Sequence, residues 1–189
     1  MASTDAPRGF HPVAKFDGSP YSGLIRSAGV LDGADCFLFD ALEYTSGRLG
    51  TISATGDTIV GVAVGFGRNV AGMHGGAYVG PFNPRDLEKL WYDDSENTHT
   101  EWTVYYVPAK NVVFEGQQDD GTDLVVGANH DIVGLTAGST VTGISGMEID
   151  GSSTATGGFT LMKAVPRPDQ AATDANADWL GFFTTTYNN

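Results

Sequence analysis

Short apolar runs separated by turn residues constrain the fold of this chain more than any other feature. Glycine occurs 26 times among 189 residues, about twice its usual share of roughly 7%. Apolar residues at helical spacing are nearly absent, whereas short runs bounded by glycine, proline, asparagine or aspartate recur along the chain. The sequence therefore predicts an all-β fold, a single β-sandwich or β-barrel domain.

The predicted strands follow one another with turn signals between them. They cover residues 36–42, 59–66, 102–107, 112–117, 124–126, 131–135, 140–143, 147–150, 159–165 and 179–187. In the second run, strand alternation places Val60, Val62, Val64 and Phe66 on one face and leaves mainly small residues on the other. A face without bulk allows another backbone to approach closely, either in tight packing within the domain or at a subunit interface.

Residues 1–22 differ from the rest because proline and glycine interrupt any regular element in them. Three aromatic residues, Phe10, Phe16 and Tyr21, are spaced between these breaks. Such a segment is predicted to be an extended arm that seeks a surface, the alternative being a frayed terminus. The β domain is then expected to span residues 23–189.

The segment 72–101 is the least strand-like part of that domain. Asn83 can cap a helix that has Pro84 at its first position, and Leu87, Leu90 and Trp91 then share a face. We therefore expect one short helix there. The segment is too long for an ordinary connection, which indicates an inserted functional loop.

The charge balance excludes several classes of partner. The chain has 23 acidic residues against 10 lysines and arginines, for a formal net charge of -13. It therefore offers no basic patch for nucleic acid or for an anionic membrane surface. Its longest apolar run, residues 59–66, is far below the roughly 20 residues that span a bilayer. The first residues also lack the basic start and apolar core of a secretory signal, so we expect no export by that route.

No residue pattern indicates catalysis or metal binding. Cys36 is the one cysteine, which excludes an intramolecular disulfide and favours a buried small hydrophobe. The four histidines lie far apart in sequence, without a second ligand at metal-binding spacing; they are His11, His74, His99 and His130. Paired carboxylates of a glycosidase remain conceivable, but no motif supports them. We predict a protein that is not an enzyme and that uses no cofactor and no metal.

Five segments, taken in order, carry a resemblance to a known family. They are DTIVGVAVGF (57–66), NVVFEGQ (111–117), SGMEID (145–150), KAVPRPDQ (163–170) and ANADWL (175–180). With them the chain resembles the head decoration, or capsid stabilisation (cement), proteins of tailed bacteriophages, from residue 14 to residue 183. The stretch 47–64 is also similar to the core strands of lambda-type decoration proteins. The segment 72–101 departs from the family pattern because it is longer and more aromatic.

The resemblance implies an all-β protein of the virion that forms a homotrimer on the outside of an icosahedral head, at threefold or quasi-threefold positions. The implied partners are the phage major capsid protein and further copies of this chain, after synthesis in the host bacterial cytoplasm. In lambda-type relatives an N-terminal arm pairs with the capsid shell, and residues 1–22 match that arm in composition. Phe10, Phe16 and Tyr21 are then the expected anchors on the capsid.

A second hypothesis is a carbohydrate-binding β module on the virion surface. Trp91, Tyr92 and Trp102 would supply aromatic faces on which sugars stack. Packing in a core or an interface is the commoner role of such residues, and their exposure in the fold separates the two roles.

Overall fold

The computed structural model describes residues 5–23, 25–68, 90–95, 99–121, 124–152, 158–168 and 170–187. Within these ranges the chain forms twelve β-strands and one short 3-10 helix, His99–Glu101, which confirms the predicted all-β fold. The strands are β1 (His11–Lys15), β2 (Arg26–Gly29), β3 (Ala41–Thr45), β4 (Arg48–Thr51), β5 (Ile59–Arg68), β6 (Trp102–Pro108), β7 (Val112–Gln117), β8 (Asn129–His130), β9 (Ile132–Val133), β10 (Glu148–Ile149), β11 (Phe159–Ala164) and β12 (Asp178–Phe183). The predicted helix lies mostly outside the described residues.

The strands form two five-stranded antiparallel sheets. The first sheet has the order β1-β7-β12-β11-β8, and the second has the order β2-β6-β5-β3-β4. Strands β9 and β10 pair with each other in a small separate ladder. Strands β3 and β4 form a hairpin, but the pairs β1–β7, β7–β12 and β2–β6 join distant parts of the sequence, so much of the fold depends on contacts that no local pattern reveals.

The main core lies between the two sheets. Side chains of β7, β11 and β12 in the first sheet pack with those of β3, β5 and β6 in the second. Its members from the strands include Ala41, Ile59, Val62, Val107, Val112, Phe114, Phe159, Leu161, Trp179 and Phe183. This arrangement is that of a β-sandwich, in which the inward faces of both sheets interdigitate.

A second core lies on the opposite face of the second sheet. The chain after β2 returns to β4, where Leu31 N donates to Leu49 O at 2.7 Å and Val30 forms a parallel bridge with Leu49. The two edges of this sheet therefore meet, which gives it a barrel-like curl around Cys36, Leu42 and their neighbours. Burial raises the pKa of the Cys36 thiol well above its ordinary value, as expected for a small core residue.

Strand β5 does not alternate as the sequence predicts, because it contains two bulges. Its pairing with β3 skips Val60, and its pairing with β6 skips Val64. A bulge adds one residue to one strand and so changes the face on which later side chains lie. Val62 therefore packs in the main core, whereas Val60 and Phe66 pack in the second core.

Gly61 explains why small residues are needed in this strand. A Cβ atom at this position would overlap the backbone oxygen of Val107 in the adjacent strand β6. The close backbone approach that the sequence indicates therefore occurs between two strands of one sheet. Of the two predicted alternatives, this is tight packing within the domain.

The predicted strand 36–42 differs from the structure, in which β3 begins only at Ala41. The chain turns at Phe39, which has a φ of 71°. The Asp40 carboxylate accepts a hydrogen bond from Phe37 N at 2.7 Å and holds that turn. Residues 124–126 and 140–143 were also predicted as strands and instead form turns and irregular chain. In the second of them, Gly143 has a φ of 71° and its N–H closes a turn on Ser139 O.

Candidate interaction surface

The N-terminal segment is docked on the first sheet, which differs from the predicted free arm. Strand β1 pairs antiparallel with β7, from His11 opposite Glu115 to Lys15 opposite Val112. Ahead of the strand, Ala6 N donates to Gln117 Oε1 at 3.0 Å. The segment is extended, as predicted, but its hydrogen bonds are made within the molecule.

Phe10 is a core residue, which corrects its prediction as a capsid anchor. Its side chain is 0% exposed and its ring lies 5.0 Å from the rings of both Phe159 and Phe183. Its backbone N–H donates to Phe39 O at 3.0 Å. The preceding residue, Gly9, has a φ of 68° and lies against Phe39 O, a close approach that a side chain would block.

Four charged side chains fix the same segment to the outer face of the first sheet. Arg8 Nη2 lies 2.8 Å from Glu115 Oε1 and 2.7 Å from Asp178 Oδ1. Arg167 contacts the same two residues, with Nη2 2.8 Å from Glu115 Oε1 and Nε 2.6 Å from Asp178 Oδ2. The Asp178 side chain is only 5% exposed, so both arginines compensate a charge that is largely removed from water. We call these four residues the clasp.

A tight turn follows β1 and leads the chain back along its edge. Lys15 N donates to Ser19 O at 2.9 Å, and Tyr21 N donates to Val13 O at 3.1 Å. Within the turn, the Asp17 carboxylate accepts hydrogen bonds from the hydroxyl and the N–H of Ser19, which lower the pKa of Asp17. The turn is therefore held by its own backbone and side chains and by one hydrogen bond to the neighbouring turn, from Phe16 N to Asn111 O at 3.2 Å.

The turn leaves two apolar side chains in solvent. Phe16 is 52% exposed and rests edge-on against Phe182 of β12, with ring centroids 5.1 Å apart. Val13 is 40% exposed and is the extra residue of a bulge in β1, a feature that re-aims a side chain on an edge strand. We call Val13, Phe16 and Phe182 the arm surface. Tyr21, the third predicted anchor, is half-buried and packs against the main core.

The aromatic residues predicted as a possible surface contact are buried, which corrects that prediction. Trp91 stacks on Phe37 with ring centroids 4.9 Å apart, and Tyr92 meets Trp102 edge-on at 6.0 Å. None of Trp91, Tyr92 and Trp102 is more than 6% exposed. The Tyr92 hydroxyl donates to Asp94 Oδ1 at 3.0 Å, and burial raises the pKa of Tyr92. These rings cover the second core and offer no platform to a sugar.

Two carboxyl groups have strongly perturbed pKa values, but neither adjoins a set of groups that could perform a reaction. Burial raises the pKa of Asp40 to about 7, against hydrogen bonds from Ser145, Phe37 N–H and Thr51 that lower it. Burial, with the nearby Asp5 and Asp119 charges, raises the pKa of Glu148 to about 7. Among the described residues, no three His, Cys, Asp or Glu side chains are placed to hold a metal ion. In the same part of the chain, no helix is long and apolar enough to cross a membrane.

Sequence reasoning missed the clasp, and no local signal could have found it. Arg8 and Asp178 are 170 positions apart in sequence, and Arg8 and Glu115 are 107 positions apart. Charged residues are expected on strands facing solvent, so neither their type nor their spacing indicates an ion-pair network. Only the adjacency of β1, β7 and β12 brings the four side chains together.

Comparisons with protein-family models, with curated proteins and with solved structures found no match for this chain. Its function has to be inferred from the arm surface, the fold and the resemblance in sequence. The arm surface is the strongest candidate contact, because it carries the most exposed aromatic ring of the predicted anchors.

Proposed function

We propose that this chain is a structural protein of a tailed-bacteriophage virion that binds the outside of the capsid and stabilises it. The observation that carries the proposal is where the resembling segments lie. Residues 57–66 run into and along β5, residues 111–117 contain β7, and residues 175–180 lead into β12. These are interior strands of the two sheets, so the resemblance concerns the framework of the fold.

The arm surface is the proposed contact with the capsid. Phe16 and Val13 are apolar, exposed and adjacent to an edge strand, and an aromatic side chain that becomes buried at an interface contributes much of its binding energy. The clasp and Phe10 fix the chain before them. A contact held in place before binding loses less conformational entropy when it forms.

A homotrimer would convert several modest contacts into firm attachment. Each protomer would present its own arm surface, so the second and third contacts become intramolecular once the first has formed. A protein that binds only the expanded shell stabilises that shell by mass action. The role requires no reaction at the surface, and we propose that the protein is not an enzyme.

The acidic charge of the chain agrees with a position outside the shell. A net charge of -13 repels packaged nucleic acid, whose phosphates need basic partners. The proposed partners are therefore the major capsid protein and other copies of this chain, with no role for nucleic acid or membrane.

Binding to expanded heads that lack the protein tests the proposal. We expect Phe16→Asp to weaken occupancy by about tenfold or more, because the charge would have to be desolvated at the interface. Val141→Asp is the matched control, since Val141 is 94% exposed and is not part of the arm surface. Deleting residues 1–22 is a poor test, because it would also remove Phe10 from the core. Equal occupancy by the parent and Phe16→Asp, both folded by circular dichroism, would refute the arm surface as the contact.

The oligomeric state is tested separately by sedimentation velocity of the purified protein. A homotrimer is expected at concentrations where the protein saturates heads. A single monomeric species on heads and in solution would contradict the trimer while leaving capsid binding open to the first test.

The carbohydrate-binding alternative has no observation in its favour. Its aromatic residues, Trp91, Tyr92 and Trp102, are buried in the second core and its cover. A sugar would have to displace that packing before it could stack on them.

A further inference from the structure

A small cavity lies at one end of the curled second sheet, next to the turn at Asn111, whose carbonyl accepts a hydrogen bond from Phe16 N at 3.2 Å. Its volume is about 160 Å³. Two of its wall residues, Val60 and Tyr106, belong to the second core, and the others come from the ends of neighbouring strands and turns. The lining residues are Arg26, Val60, Tyr106, Pro108, Lys110, Asn111 and Tyr187.

The charge of this cavity is opposite to that of the chain. The chain has 23 acidic and 10 basic residues, yet the described lining contains Arg26 and Lys110 and no carboxylate. Three other arginines are engaged elsewhere in the fold: Arg8 and Arg167 contact carboxylates in the clasp, and the Arg48 guanidinium donates to the carbonyls of Val30 and His99.

Arg26 instead stands beside a buried phenol. Arg26 begins β2 directly opposite Tyr106 of β6, and its guanidinium makes a hydrogen bond with the Tyr106 hydroxyl. Tyr106 is 3% exposed. A guanidinium carries five N–H donors, so one contact with a phenol leaves others for a ligand.

The Tyr106 hydroxyl stays protonated and is engaged by its neighbours Tyr44 and Arg26. Burial, followed by the hydrogen bond with Tyr44, raises the pKa of Tyr106 to about 12, although the Arg26 charge lowers it. Tyr187 closes the wall, with its ring edge-on to Tyr44 at 5.5 Å and its N–H donating to Ile59 O at 3.1 Å. The walls are therefore tied to the sheet, and the basic groups stand at their rim.

We propose that this cavity binds a small oxyanion, a phosphate, sulfate or carboxylate group, with Arg26 and Lys110 as its cationic partners. An arginine with unused N–H donors suits such groups, because charge-assisted hydrogen bonds to their oxygens are strong and directional. The described lining contains no carboxylate that would compete with the ligand for Arg26. The proposal is argued from the cavity alone and does not rest on capsid binding.

Titration of the full chain with inorganic phosphate, sulfate and acetate tests the site, with chloride as the reference ion. Binding is followed by isothermal titration calorimetry and by NMR shifts of the Arg26 and Lys110 amides. Arg26→Gln is expected to weaken binding by about tenfold or more, the size expected for a charge-assisted hydrogen bond. Lys163→Gln makes the same change of charge at an exposed position on β11 and is expected to stay within about twofold.

The three anions also identify the source of the oxyanion. Saturable binding of phosphate and sulfate but not acetate supports a tetrahedral ligand, and comparable binding of acetate supports a carboxylate. Equal weakening by Arg26→Gln and Lys163→Gln would mean a general charge effect and would overturn the site. Absence of saturable binding by all three anions to the folded parent would overturn it as well. Arg26 is exposed, so its substitution is not expected to unfold the chain.

Discussion

The N-terminal segment and the aromatic segment around Trp91 are alike in sequence character but differ in how far their aromatic side chains are buried. Both are irregular stretches of sequence with spaced aromatic residues, and both were predicted to offer contacts to a partner. The aromatic segment buries Trp91 and Tyr92 completely or nearly so. The N-terminal segment buries Phe10 but leaves Phe16 half in solvent.

The difference depends on what lies beneath each side chain. Trp91 and Tyr92 cover one face of the second sheet. There Trp91 stacks on Phe37, and Tyr92 packs edge-on against Trp102. Phe10 packs between Phe159 and Phe183 in the main core, whereas Phe16 has one neighbouring ring, Phe182, and is otherwise open to solvent. In these two segments, an aromatic residue is therefore buried where several core side chains surround it and exposed where one neighbour alone supports it.

The difference in burial between Phe10 and Phe16 predicts the largest effect on the free energy of unfolding. Phe10→Ala should lower the free energy of unfolding by about 3–5 kcal/mol, because it leaves a cavity beside Phe159 and Phe183. Phe16→Ala should lower it by less than about 1 kcal/mol, because the ring is half exposed. Urea unfolding of both variants measures the difference. Similar losses of unfolding free energy in the two variants would contradict the assignment of Phe10 to the core and of Phe16 to the surface.

Asp40 holds a turn that contacts both segments, and its titration makes the free energy of unfolding depend on pH. It holds the turn that carries Phe37 under Trp91 and Phe39 against Phe10. Its pKa of about 7 lies above the ordinary 3.8, so the folded state keeps a proton that the unfolded state releases. This contribution is present at low pH and is lost as pH rises from about 4 to about 7, by at most roughly 1.4 kcal/mol per pH unit.

Asp40→Asn isolates that effect. The variant should gain stability relative to the parent as pH rises through the same window, because the amide has no proton to lose. Urea unfolding of both proteins at about pH 4 and about pH 7 measures the change. Glu148, which also has a raised pKa, titrates in both proteins and cancels. A difference that stays constant with pH would contradict the raised pKa of Asp40.

The clasp predicts an intermediate effect confined to the N-terminal segment. Arg8→Gln should lower the free energy of unfolding by about 1–2 kcal/mol, since Asp178 loses one of two cationic partners but keeps the other. A double-mutant cycle with Arg167→Gln should show coupling of about 0.5 kcal/mol or more. Lys15→Gln, on the same segment, is the control. Additive losses would mean that the four residues act as separate pairs.

The aromatic segment predicts the smallest effect. Tyr92→Phe should lower the free energy of unfolding by about 1 kcal/mol, because it removes the hydrogen bond to Asp94 and keeps the ring. Tyr187→Phe, at an exposed ring, should change it by less than about 0.5 kcal/mol. Thermal or urea unfolding distinguishes the two. A neutral Tyr92→Phe would show that packing alone fixes the ring.

The sequence was sufficient to predict the long central strands. Residues 112–117 match β7 in full, and residues 59–66 and 102–107 lie within β5 and β6. These strands are buried on both sides, so an apolar run identifies them. Strands β1, β2 and β4 were missed, because they lie at sheet edges and their residues are partly polar or small. The pairing of β1 and β2 is dictated by β7 and β6, which are distant in sequence.

The candidate site was predicted less well than the fold. The composition of residues 1–22 indicates an extended segment with aromatic contacts to a partner, and Phe16 is the one of its three predicted anchors that the fold leaves mostly exposed. It could not separate Phe16 from Phe10, because burial of Phe10 depends on β11 and β12. The bulges of β5 were equally hidden, since a single extra residue leaves no trace in the apolar pattern.

The meeting of β2 and β4 through Val30 and Leu49 has a consequence for association between copies of the chain. Unpaired strand edges are templates for pairing between molecules. The second sheet joins its own edges at this point. In the first sheet, the return of residues 19–21 covers part of β1, and β8 is only two residues long. Among the described strands, little unpaired edge is therefore left for edge-to-edge pairing with another copy.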